Sequence, residues 1–131
     1  VLREGKDVTL VSYGLTVNRA LESAEKLAKQ GVQCEVIDLR TLSPLDIDTV
    51  IESVEETGRL VCIDEASPRC SIAADVSAQV AELAFASLKA PIAMVTPPHT
   101  PVPFSPSLED IYVPTVEDIV SAVNRTVGVN A

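Results

Sequence analysis

Aromatic side chains are nearly absent: two Tyr, two Phe and no Trp make up 3% of the 131 residues. Aromatics normally supply much of a core's buried area, so this interior has to be aliphatic. The 47% apolar content, mostly Val, Ile, Leu and Ala, supplies it and argues against a disordered chain. Basic charge is also scarce. Ten Lys and Arg stand against nineteen Asp and Glu, for a net charge of −9, and no run of Lys or Arg occurs. Nucleic acids and anionic membrane surfaces demand a basic footprint, so neither is expected as a partner. An acidic surface serves either solubility or a basic protein partner. No stretch reaches the ~18 apolar residues of a membrane helix, and no charged-then-apolar leader opens the chain. The first residue is Val1, which reads as the start of an excerpt from something longer.

Metal and redox signatures are missing too. Cys34, Cys62 and Cys70 are odd in number and lack CxxC spacing. A disulfide framework or zinc site is not expected, and a reducing cytoplasm is the natural setting. Cys34 and Cys62 fall inside apolar runs, where Cys behaves as a small hydrophobe; Cys70 lies before a helix, where a thiol gains reactivity. The five glycines never form GxGxxG or GxxxxGK[ST], so dinucleotide and triphosphate cradles are disfavoured. His99 is the only histidine, with no Ser, Cys or carboxylate at a triad spacing and no companion metal ligand in sequence. Within Pro98-His99-Thr100-Pro101 it reads as an exposed or interfacial donor more readily than as a base.

What is present is a regular alternation. Val1 to Glu4 suits a short edge strand, and Val8 to Ser12 a β-branched strand. From near Thr16 a helix carries Val17, Ala20, Leu21, Ala24, Leu27 and Ala28 on one face, with Gly31 as its left-handed stop. Cys34 to Leu39 is the next strand. Ser43-Pro44, with Asp46 three residues past Ser43, reads as a helix start; that helix ends at Thr57-Gly58. Leu60 to Ile63 is a buried strand ending in Asp64 and Glu65. A helix from about Ser71 to Leu88 follows, with so narrow a polar stripe (Asp75, Gln79, Glu82) that it is buried on more than one side, by core packing or between subunits. After the strand Ile92 to Val95, residues Pro97 to Pro114 hold six of the nine prolines and read as a long loop. Thr115 and Asp118 have capping-box spacing before a last amphipathic helix. The alternation implies a parallel sheet with helices on both faces, an α/β fold.

In such sheets binding surfaces collect at the carboxyl ends of the strands. Asp64 and Glu65 occupy that edge, but on an extended backbone their side chains point to opposite faces. The residues favour a structural network in which one of them accepts from Arg69 or Arg40. A stand-alone small-molecule site in the crevice near Gly14 and Glu65 is the rival reading.

Ser12-Tyr13-Gly14, the string Glu35 to Asp46, Thr57-Gly58-Arg59-Leu60-Val61, Asp64-Glu65-Ala66 and Thr100-Pro101-Val102-Pro103-Phe104 occur in order. Together they resemble the C-terminal domain of the β-subunit of thiamine-diphosphate-dependent 2-oxo acid dehydrogenases, a transketolase C-terminal domain. Pro68 to Ser71 and Pro98 to Pro106 look most like acetoin dehydrogenase β-subunits; pyruvate and branched-chain members stay open. The resemblance implies one domain over residues 1–131, a three-layer α/β/α fold, and a five-stranded, mostly parallel sheet whose first short strand is an antiparallel edge. It implies no catalytic residue, cofactor or metal in this domain, because thiamine diphosphate and Mg²⁺ lie between the α-subunit and the β-subunit's N-terminal domain. The expected duty is assembly, with that N-terminal domain, a second β-subunit, the α-subunit and the acyltransferase core as partners. The interface is expected at two stretches: Asp64, Glu65, Arg69 and Ser71, then His99, Thr100, Pro101 and Phe104. Two departures stand out: Arg69-Cys70-Ser71-Ile72-Ala73 replaces a turn that is often glycine-rich, and Asn18 stands where relatives often carry His.

Overall fold

The strands form where β-branched and aliphatic residues cluster. β1 (Val8–Ser12), β2 (Cys34–Asp38), β3 (Leu60–Ile63) and β4 (Ala93–Val95) make one parallel sheet in the order β2-β1-β3-β4. The structure, a computed structural model, describes residues 1–128, apart from the side chain of Glu109. Among the described residues, α1 (Thr16–Ala28), α2 (Ile47–Thr57), α3 (Ile72–Leu83) and α5 (Val116–Val127) cover the sheet, and α4 (Pro106–Tyr112) lies between β4 and α5.

Strand alternation sorts the core into two layers. Val8, Leu10, Val36, Val61 and Ile63 face α1 and α5, where Ala20, Ala24, Leu27, Ile119 and Val123 meet them. Val11, Ile37, Leu60 and Cys62 face α2 and α3, against Val50, Val54, Ala73, Val76 and Val80. Thr9 is the polar exception on that second face. Its Oγ1 is hydrogen-bonded to Ser53 Oγ (2.7 Å) and Thr57 Oγ1 (2.8 Å), which ties α2 to β1 without leaving a buried hydroxyl unpaired. Cys34 and Cys62 are buried as small hydrophobes; burial pushes each thiol up to about 12.

Four expectations need correction. The sheet has four strands, not five: the antiparallel edge shrinks to a bridge between Arg3 and Val36, because Gly5 already turns the chain against β2. The second helix does not start at Ser43. Asp46 is the cap, accepting from Thr49 N (3.2 Å) and Thr49 Oγ1 (2.7 Å), while Ser43–Pro44, a cis peptide, lies in a turn bridged by Leu42 and Leu45. The Asp46 carboxylate also meets the positive end of the helix dipole. The third helix stops at Leu83 rather than Leu88, and a short 3₁₀ turn spans Phe85–Ser87. Lys89 N–H donates to the Gly58 carbonyl (2.7 Å), which draws the chain back toward the α2–β3 corner. Finally, the proline-rich stretch is not all loop, since α4 lies inside it. Leu108 N–H donates to the Ser105 carbonyl and hydroxyl, and Pro106 takes the first helical position.

Other signals read as expected. Gly58 closes α2 in the left-handed conformation, and Thr115 and Asp118 form a reciprocal capping box on α5.

Candidate functional site

β1 leads to β2 on one side and β3 to β4 on the other, so the chain reverses its direction of winding between β1 and β3. Ligand and partner surfaces concentrate outside the carboxyl ends at such a point. Here those ends are Ser12-Tyr13-Gly14 and Asp64-Glu65.

Asp64 continues the alternation of Leu60 and Cys62 and so turns toward α3, where it is fully buried. Its Oδ1 accepts from Tyr13 OH (2.7 Å) and Ala66 N–H (2.8 Å), and its Oδ2 accepts from Ala73 N–H (3.1 Å). Ser71 supplies the second cap of α3, accepting from Ala74 N–H (3.1 Å). Between them, a strand end and a turn residue satisfy two of the orphan donors of one helix. Burial, then the bond to Asp64 and the Asp64 and Glu65 charges, push the Tyr13 phenol up to about 12. The expected arginine partners are therefore replaced. Arg69 is exposed and makes no bond to Asp64; Arg40 pairs with Asp38 (3.6 Å). The phenol and the helix amides were nearer, and they let the carboxylate stay out of water.

Glu65, as its opposite parity requires, is exposed. It lines a cleft of about 630 Å³ with Leu15 and Arg19 from the start of α1, Val102, and Asp110 and Tyr112 of α4. The Arg19 guanidinium donates to the Pro114 carbonyl, which holds the α4–α5 corner against α1. Tyr112 is shared with a shallower hollow of about 200 Å³ formed by Thr100, Pro101, Pro103, Leu108 and Ile111.

The turn after Asp64 and the proline-rich stretch meet through Ser67 Oγ and His99 Nδ1, hydrogen-bonded at 2.9 Å. A serine beside the only histidine is thus present, though 32 residues away in sequence. Among the described residues no carboxylate bonds the imidazole, so the pair has no third member to orient it. Cys70, exposed, takes a left-handed φ of +53°, the conformation a glycine would adopt without cost.

The proline-rich stretch presents its apolar side chains outward. Phe104 is 99% exposed and Ile111 80%, with Val102 and Leu108 also open, and Leu15 at the start of α1 is open as well. Of the expected site residues, Asp64 and Ser71 are internal supports. Glu65, His99, Thr100, Pro101 and Phe104 surround the carboxyl edge, and Arg69 stands free beside it. Sequence reasoning missed Tyr13, Ser67, Arg19, Leu108 and Ile111. Ser105-Pro106 was a readable signal for the helix that carries the last two.

Comparison with known proteins gives a consistent result. The family model described as "Transketolase, C-terminal domain" matches residues 1–119. The β-subunit of acetoin:2,6-dichlorophenolindophenol oxidoreductase from Cupriavidus necator is 65% identical over 126 residues, covering 96% of this chain and 37% of that subunit. The Bacillus subtilis subunit of the same name is 55% identical over 128 residues (98% and 37%). The pyruvate dehydrogenase E1 component β-subunit of Staphylococcus epidermidis is 46% identical over 126 residues (96% and 38%). Among solved structures, a split-gene transketolase described as an inactive β4 tetramer superposes with a TM-score of 0.84 at 30% identity, covering all of this chain and 41% of that one. The chain spans a little over a third of the length of these curated relatives.

Proposed function

This chain belongs to the transketolase C-terminal domain family, and from that premise we propose that it is the assembly domain of the β-subunit of a thiamine-diphosphate-dependent dehydrogenase component. The substrate of the whole enzyme is acetoin or a 2-oxo acid, with acetoin favoured by the 65% and 55% identities to acetoin oxidoreductase subunits. One observation carries the assembly role: the outward-facing apolar set of Leu15, Val102, Phe104, Leu108 and Ile111 at the carboxyl edge. On a chain with a net charge of −9, apolar side chains gathered at one edge mark a surface that is covered in use. The covering partners are the β-subunit's N-terminal domain, a second β-subunit and the α-subunit; the acyltransferase core docks on the assembled particle. A tetrameric structural relative supports β–β contact.

The residues at the switch-point cleft do not fit thiamine diphosphate. Glu65 and Asp110 would face its phosphates, and Arg19 is already committed to the Pro114 carbonyl. Mg²⁺ finds no better donor set, since among the described residues no three acidic, histidine or cysteine side chains are grouped so that they could hold a metal ion. We assign both to the other half of the subunit and its α partner. The same two carboxylates leave the rival small-molecule reading without support. None of the helices described is long and apolar enough to cross a membrane, and the acidic balance disfavours nucleic acid; a cytoplasmic setting, where free thiols stay reduced, is part of the proposal.

Sedimentation velocity of the 131-residue chain tests the reading. Self-association that rises with concentration, and that disappears in a Phe104→Ser/Ile111→Ser double variant, is expected. A clean monomer at high concentration would count against it.

A further inference from the structure

After β4 the chain leaves the body of the domain and returns to it at α5, and its attachment changes abruptly on the way. Pro97 and Pro114, at the two ends, are buried. Between them, from Pro98 to Val113, none of the described side chains is buried. A segment with so little packing, α4 included, sits at the low end of local stability.

Hydrogen bonds hold it hardly more. Prolines 98, 101, 103 and 106 have no N–H to donate. Thr100 N–H and Leu108 N–H donate inside the segment, to the Pro98 and Ser105 carbonyls. Among the described residues a single hydrogen bond joins residues 98–113 to the rest of the domain, the one between Ser67 Oγ and His99 Nδ1 at 2.9 Å. The far end is pinned just outside the segment, where the Arg19 guanidinium donates to the Pro114 carbonyl. Ser67 stands on firm ground. Its neighbour Ala66 donates its N–H to the fully buried Asp64 carboxylate (2.8 Å), and Arg69 N–H donates to the Ser67 oxygen (3.4 Å).

We infer that residues 98–113 are a strap hinged at Pro97 and Pro114, and that the Ser67–His99 bond is the latch that holds it to the carboxyl edge. Latched, the strap presents Val102 and Phe104 in one arrangement. Unlatched, its prolines keep each short piece stiff while the whole turns about its ends. Ser67 and His99 are thus positioning residues for the apolar surface. That duty rests on reading the carboxyl edge as the assembly surface, whereas the latch itself does not. One hydrogen bond of this kind biases a two-position equilibrium about threefold to tenfold. A partner that accepts only the latched position loses apparent affinity in proportion to the latched fraction.

Backbone ¹⁵N relaxation of the 131-residue chain reads the latch. Order parameters at Thr100, Val102 and Phe104 should lie above about 0.6 in the wild type and below it in both Ser67→Ala and His99→Ala. Ser67→Thr, which keeps the hydroxyl, should retain the wild-type values. Assembly of the reconstituted multi-subunit enzyme should weaken about threefold to tenfold in Ser67→Ala and recover in Ser67→Thr. Order parameters indifferent to Ser67→Ala would overturn the latch. A loosened strap with undiminished assembly would overturn the positioning role, provided Phe104→Ala weakens assembly in the same assay. If Phe104→Ala also assembles like wild type, the assembly reading is what fails, and the positioning role falls with it.

Discussion

Truncating Phe104 separates an interface role from a structural one. Its ring is 99% exposed, so Phe104→Ala removes almost no contact within this chain. The urea midpoint of the isolated domain should therefore move by no more than about 0.5 kcal/mol equivalent. In the assembled enzyme the account covers that ring. Burying a Phe side chain contributes about 1.5–3 kcal/mol, and aromatic residues are frequent hot spots. A loss of about 2 kcal/mol per site corresponds to roughly thirty-fold weaker association. Mass photometry or sedimentation equilibrium of the reconstituted multi-subunit enzyme, wild type beside Phe104→Ala, reads this directly. If the variant assembles as tightly as wild type, Phe104 is not at an interface. If the isolated domain loses stability on the scale of a core truncation, the exposed placement itself is wrong. Either result refutes the reasoning.

Three further outcomes are expected. Asp64→Ala should cost about 2–4 kcal/mol in urea unfolding, because Tyr13 OH and two backbone amides lose their acceptor; a double-mutant cycle with Tyr13→Phe should give a coupling of about 0.5–3 kcal/mol. On the alkaline side, stability should fall as pH rises from about 9 toward 12. Cys34, Cys62 and Tyr13 all have folded values near 12, above their ordinary values of 9.0 and 10.0, so the folded state holds protons that the unfolded chain has released. Tyr13→Phe should remove the part of that fall between pH 10 and 12, which urea titrations at fixed pH would detect. Lastly, Asp46→Ala should lower the unfolding midpoint while Ser43→Ala leaves it in place; the reverse would restore Ser43 as the cap of α2.

Much of the fold was legible because local signals and tertiary need agreed. β1, β2 and β3 are β-branched or aliphatic runs that the sheet buries on both faces, and Gly58 and the Thr115–Asp118 box end and start helices as their chemistry dictates. Legibility failed where one signal had two competitors. Ser-Pro occurs three times before a helix; at 105–106 it opens α4, while after 43–44 and 67–68 the cap is a later residue, Asp46 and Ser71 respectively. The site was legible only as an address. Asp64 was placed correctly at the strand end and on the opposite face from Glu65, but its partners come from 51 residues upstream (Tyr13) and from the next helix (Ala73). His99 and Ser67 meet only through the packing of β3 beside β4. Spacing along a chain carries no information about pairs that a parallel sheet brings together from separate strands.

The central claim concerns what covers the carboxyl edge. Hydrogen exchange of residues 98–112, compared between the isolated chain and the assembled multi-subunit enzyme, addresses it most directly. The account predicts that these amides slow by about tenfold or more on assembly while those of α2 change little. Exchange in the assembled enzyme as fast as in the isolated chain would contradict it.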